Sequence, residues 1–339
     1  MPRSNNVDDM EQRKGQHIEL CLDDESQGVS SLAAYRLPYN ALPEIDMEDV
    51  STETEFLGKK LSQPIIIASM TGGSEHGRDI NTNLAKAAEE TGVAFGVGSQ
   101  RIGLELEDAR DTFELVRKHA PTAPIVANMG VVQLNYGHGI DSIRAIVDMI
   151  EADALYFHLN PLQEALQPGG DTDFSGLEKK IADIVDKLDV PVIAKEVGHG
   201  ISADVAQRLM DVGVTGIDVA GTGGTSYAWV EARRANNASY EDWFKDYGIP
   251  TADAVSQVAV LKPDVLIASG GLRSPVEGLT ARALGADMYS AAVPFLEPAM
   301  KSADDLVETI QNWQRGLQVA MFSSGARDWA QARSIEVTK

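Results

Sequence analysis

A lysine inside an apolar run is the first residue that invites a chemical reading. Lys195 stands in Val-Pro-Val-Ile-Ala-Lys-Glu-Val-Gly, residues 190–198. A buried ammonium needs a partner or a task. It is either paired with a neighbouring acid such as Asp218, or a fixed positive charge beside the N1–C2=O edge of a flavin, which is anionic when reduced. His158, Asn160, Gln163 and Glu164 form a second cluster, His-Leu-Asn-Pro-Leu-Gln-Glu. Period two puts His158 and Asn160 on one strand face, and Pro161 ends the strand. One carboxylate with amides and a ligand diphosphate is how Mg²⁺ is commonly held, because the ion keeps several waters. The plain alternative for Glu164 is a solvated loop side chain. In Ser-Gly-Gly-Leu-Arg, residues 269–273, the missing Cβ atoms let backbone N–H groups approach an anion at a helix start, or Gly270 and Gly271 only make a tight turn. Arg13, Lys14 and His17 share one side of an expected helix near Met10–Leu22. They form an anion clamp or a solvated basic face, and Ile18, Cys21 and Leu22 offer a docking surface.

These residues need elements to hold them. Eight runs rich in Val, Ile and Ala recur along the chain: Pro64–Ser69, Val93–Ser99, Ala123–Asn128, Ala154–Asn160, Pro191–Glu196, Gly216–Ala220, Asp264–Ser269 and Ala286–Ala291. Their apolarity is continuous rather than alternating, as in parallel strands buried on both faces. Amphipathic stretches lie between them, such as Asn83–Thr91, Ser142–Glu151, Ser202–Val212 and Asp253–Lys262. Gly213 and Gly285 follow helix ends, as C-terminal caps do. Eight strand–helix units predict a (β/α)₈ TIM barrel over residues 64–319, with a doubly wound sheet as the alternative. Residues 1–63 read as an N-terminal arm and lead-in, and 320–339 as a C-terminal tail. A long insert after the sixth strand, 221–250, holds Tyr227, Trp229, Tyr240, Trp243 and Tyr247 and reads as a substrate-covering loop.

In such barrels chemistry sits at the C-terminal strand ends. All eight ends carry small or polar residues: 69–73, 98–101, 128–130, 158–160, 195–200, 221–226, 269–273 and 290–292. That describes a ring of groups around one ligand, with loops seven and eight as the phosphate grip. A competing motif, Gly198-x-Gly200-x-x-Ala203 with Asp218 twenty residues on, fits a dinucleotide fingerprint. It falls at the fifth strand rather than the first, beside charged Lys195 and Glu196.

The 339 residues carry 29 basic and 51 acidic side chains, a formal net charge of −22. Hydrophobic residues make up 43%, enough for a large core. The acidic balance argues against nucleic-acid partners. Cys21 is the single cysteine, which excludes an internal disulfide framework and fits a reducing, cytoplasmic setting. The N-terminal residues lack the apolar segment of a secretory signal, and no apolar run approaches the ~20 residues of a membrane span.

Together the strand-end motifs resemble the type 2, flavin-dependent isopentenyl-diphosphate isomerases. The matching pieces are Arg-Lys-Gly-Gln-His (13–17), Arg-Leu-Pro-Tyr-Asn-Ala-Leu-Pro-Glu-Ile-Asp (36–46), and the strand ends Ser-Met-Thr-Gly-Gly, Gly-Ser-Gln-Arg, Asn-Met-Gly, His-Leu-Asn-Pro-Leu-Gln-Glu, Lys-Glu-Val-Gly-His-Gly, Gly-Thr-Gly-Gly-Thr-Ser and Ser-Gly-Gly-Leu-Arg-Ser-Pro-Val-Glu-Gly. The resemblance implies a (β/α)₈ barrel with FMN. It implies interconversion of isopentenyl and dimethylallyl diphosphate by a 1,3-allylic proton shift in isoprenoid biosynthesis, with NADPH or NADH as reductant and Mg²⁺. It places Ser69, Met70, Thr71, Ser99, Asn128, Lys195, Thr225, Gly270, Gly271, Ala291 and Ala292 at FMN. Arg13, Lys14, Ser99, Gln100, Arg101, His158, Asn160 and Gln163 fall to the substrate, and Glu164 to the metal. Gln163, Lys195 and His158 are the catalytic candidates, in a homo-oligomer acting on a small diphosphate away from membranes. Tyr227 stands where the family carries Trp, with Trp229 two residues on. Few conventional acids lie at the strand ends, which suits a reduced flavin as the acid–base element.

Two rivals remain. A 2-hydroxy-acid or nucleotide dehydrogenase on an FMN barrel would want a histidine after a late strand, or a cysteine in a barrel loop. Strands seven and eight offer no such histidine, and Cys21 lies outside the barrel. A non-catalytic phosphate-binding barrel would leave Lys195 and eight polar strand ends without a purpose.

Overall fold

The computed structural model describes residues 15–339. Among the described residues, ten strands form two sheets. A hairpin joins β1 (Thr54–Phe56) and β2 (Lys59–Leu61), antiparallel. Its turn residues Leu57 and Gly58 both have positive φ, 53° and 74°, the geometry a two-residue hairpin turn demands. The other eight strands are parallel and close into a barrel: β3 (Ile65–Ile67), β4 (Ala94–Gly96), β5 (Ile125–Gly130), β6 (Ala154–Leu159), β7 (Val192–Glu196), β8 (Gly216–Asp218), β9 (Val265–Ala268) and β10 (Met288–Ala291). The last strand pairs with the first, Ala291 opposite Ile67. Each of the eight expected runs coincides with one strand, β5 running on past Asn128 to Gly130, and the doubly wound alternative is excluded by closure.

Helices Glu75–Thr91, Glu107–His119, Ile140–Met149, Leu177–Val185, Ala203–Asp211, Thr251–Ala259, Pro275–Ala283 and Ala303–Ser324 follow the strands in turn. Serines start several of them: Ser74, Ser202, Ser274 and Ser302 each accept a backbone N–H of the first turn. The eighth of these helices runs beyond residue 319, and the buried Trp329 starts a further short helix, Trp329–Ala332.

Continuous strand apolarity has two causes. Outward residues such as Ile65, Ile67, Phe95, Leu155 and Phe157 join the helices in the main core. Inward residues Ile66, Ala94, Val126, Ala154, Ile193, Ile267 and Met288 fill the barrel. Phe56 and Leu61 of the hairpin belong to this inner cluster, so the hairpin stoppers the barrel's N-terminal end. Toward the other end the inner wall turns polar. Register sets Gly130, His158, Lys195 and Asp218 side by side across β5 to β8.

Candidate active site

A cavity of about 310 Å³ opens at the C-terminal ends of the strands. All eight strand ends contribute to its wall, joined by the helix at residues 15–21 and by the insert. Two walls differ in construction.

One wall is made of backbone. Gly270 and Gly271 have φ of 99° and 82°, and a Cβ on either would come within 2.0 Å of the Gly221 carbonyl or 2.2 Å of the Gly223 carbonyl. The missing Cβ atoms let the loops after β8 and β9 lie directly on one another, as the tight-turn reading has it. Helix Val293–Lys301 starts beside them at Ala292 with no side-chain cap, and Ala292, Val293 and Pro294 line the cavity. Its first N–H groups carry the partial positive charge of a helix start.

The facing wall is made of side chains. His158 Nδ1 meets Asn128 Oδ1 at 2.8 Å, while Asn128 Nδ2 donates to the Val97 carbonyl at 3.0 Å. With the Asn128 oxygen as acceptor, His158 carries its proton on Nδ1 and leaves Nε2 as a lone pair. Burial, then the charges of Lys195 and Arg101, push the ring down to about 3, so it is neutral at physiological pH. Asn160 Nδ2 donates to Gln163 Oε1 and Glu164 Oε1, both at 3.0 Å. Glu164 Oε2 accepts the Asp171 N–H at 2.7 Å. The solvated-glutamate reading fails, because Glu164 is only 9% exposed.

Lys195 stands between Asp218 and the cavity. Lys195 lines the cavity, and its Nζ donates to the Glu196 carbonyl at 2.7 Å. Asp218 lies opposite on β8, fully buried, with the Ser269 hydroxyl bonded to it. Burial raises the Asp218 carboxyl, and the Lys195 charge opposes that rise. The ammonium therefore balances a buried acid and still faces the cavity.

The dinucleotide motif has a different use. Glu196 Oε2 accepts the N–H groups of Val197, Gly198 and His199 at 2.6, 2.7 and 2.5 Å. The nest that could have held a phosphate is filled by the chain's own carboxylate.

Of the expected site residues, Ser69, Met70, Thr71, Ser99, Arg101, Asn128, His158, Asn160, Gln163, Glu164, Lys195, Thr225, Gly270, Gly271, Ala291 and Ala292 all line this cavity. Arg13 and Lys14 lie outside the described residues. Gln100 is a correction. It is fully buried, its Nε2 donates to the Ile146 carbonyl at 2.9 Å, and its Oε1 accepts the Asn128 N–H at 3.0 Å. It braces Asn128 and does not line the cavity. The aromatic insert is corrected in part. Tyr227 reaches the cavity, but Trp229 packs into a buried cluster with Cys21 and Val230, and Trp243 and Tyr247 face solvent.

Glu231 was missed. It sits one helical turn beyond Tyr227 on helix Tyr227–Arg234, fully buried. Its Oε1 meets His17 Nε2 at 3.0 Å and accepts from Gln163 Nε2 at 3.2 Å, and its Oε2 pairs with Arg234 at 2.5 Å. Burial would raise this carboxyl, but the bond and charge of His17, with Arg234 and Gln163, hold it below its ordinary value. The signal in sequence was an acid among apolar helix residues. Ile18 and Cys21 dock the arm as its apolar face suggested, and burial pushes the Cys21 thiol up to about 12, which leaves it inert.

Comparisons with known proteins agree with this geometry. A model of the FMN-dependent dehydrogenase family matches residues 15–127 and 164–338. The isopentenyl-diphosphate delta-isomerase of Nostoc sp. is 45% identical over 331 residues, 96% of this chain and 94% of that one. That of Archaeoglobus fulgidus is 42% identical over 329 residues, 96% and 94% of the two chains. Among solved structures, mandelate oxidase superposes with a TM-score of 0.68 at 16% identity over 99% of each chain, which speaks for the barrel fold alone. Motifs, barrel and sequence identity converge: the chain belongs to the type 2, flavin-dependent isopentenyl-diphosphate delta-isomerases.

Proposed function

We propose that the protein interconverts isopentenyl and dimethylallyl diphosphate, moving one proton from C2 and adding one at C4, in isoprenoid biosynthesis. The observation that carries this is the convergence of Asn160, Gln163 and Glu164 on one cavity with a glycine cradle opposite. FMN fits the cradle side: buried oxygens Ser69 Oγ, Thr71 Oγ1 and Ser290 Oγ lack partners among the described residues, and all three residues line the cavity. Gly270, Gly271 and Ala292 would hold its phosphate, and Lys195 would sit at its N1 edge. When bound and reduced, FMN supplies the acid–base element of the reaction.

The chain's residues do the rest. Arg101 and the N-terminal Arg13 and Lys14 hold the diphosphate charge. Glu164 would hold Mg²⁺, an ion that keeps few protein ligands and would screen the diphosphate charge. Asn160 Oδ1, buried and unpartnered, aims a further oxygen at this end. The His17–Glu231–Gln163 network closes the cavity from above and holds a proton between His17 Nε2 and Glu231 Oε1. Covered walls limit loss of an allylic cation to water. NADPH or NADH reduces the cofactor.

The enzyme acts in the cytoplasm as a homo-oligomer; exposed Trp243 and Tyr247 offer apolar surface for a second copy. None of the described helices is long and apolar enough to cross a membrane. A 2-hydroxy-acid oxidation lacks support, since His17 and His158 are the histidines at this cavity and neither follows β9 or β10. The test is anaerobic incubation of FMN-reduced protein with isopentenyl diphosphate and Mg²⁺ in D₂O. Deuterated dimethylallyl diphosphate in the proton spectrum is the expected product. An unchanged substrate spectrum with the flavin fully reduced overturns the reading.

A further inference from the structure

Asp171 follows Gly169 and Gly170 in the loop after helix Pro161–Leu166 and is buried at 4% exposure. Its Oδ2 accepts from Gln133 Nε2 at 3.0 Å and from the Arg101 guanidinium at 3.4 Å. The same Arg101 nitrogen donates to Gln133 Oε1 at 3.3 Å. Its backbone N–H bonds Glu164 Oε2 at 2.7 Å, while Asn160 bonds the other Glu164 oxygen at 3.0 Å. Gly170 makes this approach possible, since a Cβ there would meet the Glu164 carbonyl at 2.0 Å and Glu164 Oε2 at 3.0 Å. One residue thus touches the cationic side chain with its carboxylate and the acidic side chain with its backbone.

We propose that Asp171 is a positioning residue for the diphosphate end of the site, holding Arg101 and Glu164 in one frame. This rests on the diphosphate reading above. By Coulomb's law a carboxylate beside a diphosphate opposes binding. A purely electrostatic role for Asp171 therefore predicts tighter anion binding when its charge is removed. A positioning role predicts the reverse when the acceptor itself is removed, because Arg101 loses its orientation and the order of the loop over Glu164 falls with it.

The probe is inorganic pyrophosphate, titrated calorimetrically into the FMN-loaded enzyme with and without Mg²⁺. In Asp171→Ala the affinity is expected to fall at least about tenfold under both conditions, the scale of one misplaced charge-assisted contact. Asp171→Asn keeps an acceptor oxygen and the backbone N–H, and is expected to stay within about threefold of wild type on the same scale. KM for isopentenyl diphosphate rises with the Kd of pyrophosphate in Asp171→Ala, while the flavin absorption spectrum holds. Unchanged or tighter pyrophosphate binding in Asp171→Ala overturns the proposal. Should that variant lose its flavin, Gln133→Met removes a neighbouring member of the frame, and binding equal to wild type there overturns the proposal as well. Wild-type enzyme that binds no pyrophosphate removes the diphosphate reading and this proposal together, whereas wild-type binding with an unaffected Asp171→Ala removes the role of Asp171 alone.

Discussion

The two ends of the barrel are built from the same eight strands to opposite specifications. At the N-terminal end, inward positions are Ile, Ala, Val and Met, and the hairpin inserts Phe56 and Leu61 among them. At the C-terminal end, a few residues further along, the inner wall carries Asn128, His158, Lys195, Asp218, Ser269 and Ser290. One end satisfies itself by packing. The other leaves buried polar atoms that pair only with a ligand or each other. Stability and function are thus separable along the barrel axis, and substitutions at either end test that separation.

The largest effect belongs to the closed end. Phe56→Ala opens a cavity under the barrel floor and is expected to cost about 3–5 kcal/mol of stability, with turnover of the folded enzyme unchanged. Chemical denaturation and activity at 25 °C measure the two sides; a parallel fall of kcat would show that the ends are coupled. At the open end Glu164→Gln is expected to lower Mg²⁺-dependent turnover by more than about a hundredfold, about 2.7 kcal/mol in the barrier, while FMN stays bound. Loss of flavin in step with activity would make Glu164 a structural residue instead.

Lys195→Met keeps the stem and removes the charge. The two-electron midpoint potential is expected to fall by about 40–65 mV, about 2–3 kcal/mol, because the reduced flavin loses its counter-charge. A potential within ~10 mV of wild type would leave Lys195 only as the partner of Asp218. The smallest effect returns to the closed end. Burial would raise Asp153, but the bonds from Lys59, the Ile125 N–H and Arg117 outweigh it and hold the carboxyl below 3.8. A depressed folded pKa contributes stability above the unfolded value and loses it as pH falls through the folded one. Asp153→Asn is therefore expected to cost under about 1 kcal/mol at pH 7, since the pair is partly solvated, and nothing at a pH below the folded pKa. A pH-independent difference in urea midpoints would point to lost packing rather than lost charge.

Much of this was legible in sequence because barrel strands are local. Eight apolar runs, each ending in small or polar residues, state where the strands stop and which groups surround the mouth. Glycine positions with forced φ, such as Gly270 and Gly271, and the run His158 to Glu164 could be read from neighbours a few residues away. The single cysteine already excluded an internal disulfide framework, and the motifs named the family.

Other features had no local signature. Gln100 lies between expected site residues Ser99 and Arg101, yet barrel curvature turns it back to brace Asn128. The nest at Val197–His199 matches an anion-binding motif, but only the folded loop brings the Glu196 carboxylate into it. Trp229 and Tyr227 are two residues apart, and helical geometry sends one into the core and the other to the cavity. Glu231 meets His17 across 214 residues of chain. Their bond forms because barrel closure brings the arm and the insert over the same mouth, and spacing along the chain cannot express a distance that closure sets.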